Sequence, residues 1–287
     1  MAVYKRTYQP YQGPLTPAWS RFLVIARQAY RRVFDSRFLL FYFILCFIFP
    51  AVCALLIYLR HNAGAITMFK IDVARLIPID GRFFFRYLGW QGSMAFLLTA
   101  FIGPGLISND LRNNALPLYL CRPFTRAEYV LGKMSVLAIL LSAITWAPGL
   151  LLFAFEAYLE GGAWFRDNFY LASGIFLGAW IWIVTLCLLA LALSAWVKWK
   201  VVAGALLFGV FFAAAGFGQA INQVLHTDSG NLINLAELVR TIWVGLFRLP
   251  SRSGLAPESA WMALAGICVI CLHLLDRKVR AFEVVKS

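Results

Sequence analysis

Charge is scarce in this 287-residue sequence: Asp, Glu, Lys and Arg make up 14% of it, while 62% is hydrophobic and the mean hydropathy is +0.76. That balance cannot clothe a water-facing surface, so lipid is the solvent for most of the chain. Acids are the scarcer sign, 13 against 26 Lys and Arg, which leaves a formal charge of +13. Histidine occurs only at His61, His226 and His273, scattered and without an H-E-x-x-H, so no metal site is expected. No Gly-rich loop is present to cradle a phosphate. Gly132-Lys133 follows Ala127 where that motif requires Gly, and precedes Met134 rather than Ser or Thr. Without a Walker A the chain is not expected to hydrolyse nucleotides. No converging acid and base can be assembled for a membrane enzyme, and no catalytic residue is assigned. The halves share neither loop lengths nor Gly and Pro placement, which gives an inverted-repeat transporter little support without excluding it.

Six cysteines would suit a disulfide framework, but Cys46, Cys53, Cys187, Cys268 and Cys271 fall inside apolar runs and Cys121 in a short loop. No disulfide is expected. Cys268-x-x-Cys271 has a redox spacing, yet two thiols in the middle of an apolar run read as packing residues.

What the sequence does have is uncharged runs of about 20 residues, the length that crosses roughly 30 Å of hydrocarbon. They predict an all-α integral membrane protein with six transmembrane helices, near 38–59, 88–108, 134–155, 170–196, 201–225 and 259–275. The first run is too long for a signal-peptide core and reads as a retained span. Gly103-Pro104-Gly105 in the second and Pro148-Gly149 in the third are expected to kink the helices without ending them.

Six spans put both termini on one side, which carries seventeen Lys and Arg against five acids; the other side has nine against eight. The basic side is expected to be cytosolic, and most of the +13 is then topology. Nucleic acid is not needed to explain it. Residues 1–37 read as a cytosolic tail and elbow, 38–275 as the membrane domain and 276–287 as a basic cytosolic tail.

Within the first segment Phe22, Ile25, Ala26, Ala29 and Val33 recur at helical spacing, with Arg21, Arg27, Arg31 and Arg32 on the other side. An amphipathic helix lying at the interface is expected, its arginines on anionic headgroups of membrane lipids. On the far side, Asn231–Leu249 has Leu232, Leu235, Leu238, Ile242 and Leu246 near one face, but Glu237, Arg240 and Arg248 keep it out of the span count. Glu156 is expected at the outer interface within reach of water, and Trp90, Trp164 and Trp261 as interfacial anchors. Gln219, Asn222 and Gln223 near the outer end of the fifth span are candidates to line a pathway, with interhelical hydrogen bonding as the plainer role.

The most informative stretch is the loop from Ser108 to Lys133. Thr125-x-x-Glu128 is a capping box at the start of the third span, with Phe124 and Tyr129 spaced as a hydrophobic staple. A turn explains the cap but not Leu111, Leu116, Leu118, Tyr119 and Leu120 among Asp110, Arg112, Asn113 and Asn114, apolar groups that want a partner surface.

Here the sequence resembles the permease subunits of export-type ABC transporters, the ABC type-2 permeases. The resemblance rests on Asp110 after the second span, Arg122-Pro123, Arg126, Glu128-Tyr129 and Gly132-Lys133, with the elbow, six spans and basic tail; Pro117 departs from the pattern and is expected to shorten or bend the loop helix. It implies a coupling helix over residues 109–121 that docks on a separate ABC ATPase dimer, which holds the ATP and Mg; this chain needs no cofactor. Asp110 and Arg112 would make polar contacts there, with Leu111, Leu116 and Tyr119 in the groove and Arg122 and Arg126 beside it. It also implies a second permease subunit, identical or related, and a bacterial cytoplasmic (inner) membrane. A transmitter of force to an extracytoplasmic partner, without translocation, is the alternative within the same fold, and a membrane enzyme the third reading.

Overall fold

The structure is a computed structural model describing residues 34–62, 78–115, 125–250 and 254–278, together with Arg27 and Tyr30. No strand occurs among the described residues. Six helical segments are long and apolar enough to cross a membrane: Arg37–His61, Gly81–Arg112, Arg126–Glu160, Phe169–Trp196, Lys200–Leu225 and Pro257–Lys278. The protein is therefore an all-α, multi-pass membrane protein. Its near end carries Arg112 and Thr125, and its far end helix Leu235–Leu246 between the fifth and sixth spans.

The fourth span is the axle. It packs against the second, third, fifth and sixth spans, and 72% of its most apolar stretch is buried, against 17% for the fifth and 22% for the sixth. Buried Gly174, Gly178, Ala179, Ala190, Ala192 and Ser194 let neighbouring backbones come close, which is how helices gain contact where lipid gives no hydrophobic drive.

Three spans are broken, and at each break a side chain of another span donates to a backbone carbonyl. In the first span, Pro50 has no N–H for the Cys46 carbonyl; buried Gln91 of the second span donates to it at 2.9 Å. The sequence reading runs this span through without a break. In the second, helix Gly81–Ile102 stops at Gly103 and restarts at Pro104. Ser194 Oγ of the fourth span donates to the Pro104 carbonyl at 2.6 Å and accepts from the amides of Ile107 and Ser108 at 3.1 and 2.9 Å. A Cβ on Gly103 would lie 2.8 Å from Ala190 Cβ, so only glycine lets the fourth span in this close. In the third, the break at Thr145 precedes Pro148, and Tyr87 donates to the Thr145 carbonyl at 2.8 Å. Ser194→Ala should remove three buried hydrogen bonds and cost about 2 kcal/mol, readable as a lower Tm in detergent.

The ends of two spans differ from the sequence reading. The second begins at Gly81 rather than 88, because Asp80 caps it, accepting from the amides of Arg82 and Phe83. The third runs to Glu160, so Glu156 lies one turn inside the helix and is fully buried rather than water-accessible. At the far end, Asn234 caps helix Leu235–Leu246, whose apolar face of Leu235, Leu238, Val239 and Ile242 is buried. It packs against the fourth and sixth spans. Twelve residues rise about 18 Å, too short to cross a membrane, which agrees with its exclusion from the spans.

Candidate functional site

Chemistry-bearing residues come together at both ends of the fold. At the near end the second span finishes at Arg112, with Asn114 in the left-handed region at φ 50° and the Ala115 amide donating back to the Asp110 carbonyl at 2.8 Å. The third begins at Thr125, whose Oγ1 accepts from the Glu128 amide at 3.2 Å while the Glu128 carboxylate accepts from the Thr125 amide at 2.7 Å. The expected capping box is present.

Asp110 ties these two helix ends together. Its Oδ2 lies 2.7 Å from Lys133 Nζ and accepts from the Tyr129 hydroxyl at 2.8 Å, and both charged residues are only 6% exposed. A buried charge pair of this kind persists only when its geometry is good and its remaining bonding sites are served. The Asp110 carboxylate therefore faces the interior of the bundle, not a docking partner as the resemblance implied. The one-turn offset of Tyr129 and Lys133 puts both on one face of the third span. That spacing was visible in the sequence, but nothing there linked it to Asp110.

Of the other residues assigned to coupling, Leu111 is half-buried against the core, and Arg112 and Arg126 are exposed, as are Asn113 and Asn114. Leu116, Tyr119 and Arg122 lie outside the described residues, as do Phe124 of the expected staple and Arg21, Arg31 and Arg32 of the interfacial helix. Arg27 is exposed. Tyr30, just before the first span, donates to the carbonyls of Ser135 and Val136 at 3.2 and 3.3 Å, and burial pushes its phenol up to about 12. It pins the segment before the first span to the third span's helix.

At the far end the second, fourth and fifth spans and helix Leu235–Leu246 enclose a cleft of about 590 Å³. Phe96 meets Phe211 with ring centroids 4.7 Å apart, Trp182 meets Phe211 at 5.7 Å, and Trp182 meets Trp243 at 6.2 Å, all edge to face. The indole N–H of Trp182 donates to the Gly92 carbonyl and that of Trp243 to the Gly178 carbonyl, each at 2.9 Å. With those donors spent, the rings present apolar surface to the cleft. Phe85 and Arg240 belong both to this cleft and to an adjoining polar one of about 550 Å³, lined by Arg82, Arg86, Asp228 and Glu237. Arg240 pairs with Glu237 at 3.5 Å on the surface.

None of the three pathway candidates of the fifth span lines the apolar cleft. Gln219 and Gln223 are exposed, and Asn222 closes the turn that follows: it donates to Asn231 Oδ1 at 2.9 Å and accepts from the Gly230 amide at 2.7 Å. The residues that do line it are chiefly aromatics, glycines and aliphatics, which at the sequence level cannot be told from lipid-facing surface. The thiols of Cys46, Cys53, Cys187, Cys268 and Cys271 are free, and Cys121 lies outside the described residues.

No protein-family model matches the chain, and no curated protein matches it in sequence.

Proposed function

We propose that this chain is the membrane-spanning permease subunit of an ATP-driven exporter, that its energy comes from a separate ATPase chain, and that its cargo is an amphiphile with an apolar tail. The observation that carries this reading is the far-end cleft: aromatic walls whose indole N–H donors are spent open onto a polar mouth lined by Arg82, Arg86 and Arg240 together with Asp228 and Glu237. A tail fits the first and a charged or polar head the second. A transmitter that moves no cargo has no use for such a cleft.

The second span links the two ends. Its near end is joined through Asp110 to Lys133 and Tyr129 of the third span, its middle is hinged at Gly103–Pro104, and its far half supplies Phe85, Gly89, Gly92 and Phe96 to the cleft. A push on the loop between the second and third spans moves a braced pair of helices, and the hinge lets the far half respond by changing the cleft. ATP acts only through the difference it makes between the two arrangements. A second permease subunit, alike or related, would complete the transport unit; the mostly exposed faces of the fifth and sixth spans leave surface for it.

The test is gentle purification of the tagged chain with whatever co-purifies, followed by an ATPase assay. An ATPase chain should come with it, and reversing charge at exposed Arg112 and Arg126 (Arg112→Glu with Arg126→Glu) should reduce its recovery about tenfold, roughly 1.4 kcal/mol of docking energy. A chain that purifies without any ATPase, in a membrane where its transport activity persists, overturns the proposal.

A further inference from the structure

We propose that His61, Glu156 and Glu160 form a binding site for a divalent transition-metal ion of the zinc class, clamping the far end of the first span to that of the third. The site stands independently of the transport reading. Glu156 and Glu160 are one turn apart on the third span and so share a face. His61 is the last residue of the first span, and the two spans pack together there.

The imidazole is set up for ligation. His61 Nδ1 is 3.1 Å from the Ile57 carbonyl, which can only accept; the tautomer that donates there has its lone pair on Nε2, facing Glu160, where a metal ion would take it. A backbone carbonyl holding the other ring nitrogen is the usual support of a metal-ligating histidine. Nε2 lies 3.3 Å from Glu160 Oε1, and one ligand atom from each of the three residues falls within 4.8 Å of the others. Metal–ligand bonds of about 2.0–2.2 Å hold ligand pairs within about 4.4 Å of each other. A small rotation of either carboxylate closes that difference.

The independent observation is Glu156. Its side chain is 0% exposed, yet neither oxygen has a hydrogen-bond partner. A buried carboxylate left this way is costly, and Glu160 beside it adds like charge. Arg60 stands 3.8 Å from Glu156 Oε1 and 3.4 Å from Glu160 Oε1, near enough to offset charge and too far from Glu156 to hydrogen-bond. A metal ion would satisfy the orphaned oxygens directly. Arg60 is 26% exposed and free to swing to solvent as the ion enters, with water filling the remaining position from the far end. Two carboxylates and one imidazole are hard to borderline donors, which suit Zn²⁺ or Mn²⁺ over Cu⁺.

The experiment titrates ZnCl2 into the purified full-length chain after chelator treatment, with calorimetry for stoichiometry and thermal unfolding for linkage. One ion per chain and a raised Tm are expected. His61→Ala and Glu160→Gln, both at partly exposed positions, should each weaken binding tenfold or more, while Arg60→Gln should tighten it by removing a competing cation. Glu156→Gln should abolish binding; if that variant fails to fold, the other three carry the test. No binding by the wild type, binding unchanged in His61→Ala and Glu160→Gln, or an Arg60→Gln variant that loses stability without gaining zinc affinity would each overturn the site in favour of an ion-pair cluster.

Discussion

Gly89→Trp is expected to abolish cargo handling while leaving the fold intact. Gly89 lines the far-end cleft, and a Cβ built on it meets nothing within 4 Å, so a large side chain there enters empty space instead of a neighbour. Helix propensity favours the change, since glycine in a helix interior costs about 1 kcal/mol relative to alanine. With Tm unchanged or slightly raised, binding of a fluorescent single-chain amphiphile with an anionic head should weaken by about two orders of magnitude, near 2.7 kcal/mol. A comparison at Gly178 separates plugging from unfolding. A Cβ there would lie 2.9 Å from Leu88 and 3.1 Å from Trp243, so Gly178→Val should lower Tm through overpacking, by about 1–3 kcal/mol. Undiminished amphiphile binding by Gly89→Trp would remove the cleft from the cargo route.

Asp110→Ala should be the most damaging substitution at the near end. It takes away the carboxylate 2.7 Å from buried Lys133 and the acceptor of the Tyr129 hydroxyl, and removing one member of a buried pair costs about 3–5 kcal/mol. Replacing both members, as in Asp110→Leu with Lys133→Met, should restore most of that stability, because no buried charge is then stranded. Stability and coupling part company in the double variant. The helix ends then lack the Asp110–Lys133 bridge, so a co-purified ATPase should still bind yet lose the cargo-stimulated part of its activity. Full stimulation in the double variant would mean that the ion pair serves folding only.

The spans were legible because lipid imposes a length and a composition that no other environment asks for, and every expected apolar run became a helix. The Thr125–Glu128 cap was legible because its spacing is local. So was helix Leu235–Leu246, from a period of 3.6 and three charges that barred it from the spans. The break in the first span was not read, although Pro50 was in view, and the group that serves the carbonyl it frees lies outside any local pattern. That group is Gln91, 45 residues away.

The same distance limit hid both sites. Asp110 was singled out, but for an outward role; its inward turn depends on the phase at which the second span meets Tyr129 and Lys133. His61 stood alone in the sequence and Glu156 was placed in water, because nothing along the chain says that the first and third spans end side by side. Hydropathy, proline and capping patterns act over one or two turns and by themselves determined the membrane and the six spans. Which polar groups meet, and which aromatics enclose space, was decided only by the tertiary packing around the fourth span, where small residues set how closely and at what rotation the other helices approach.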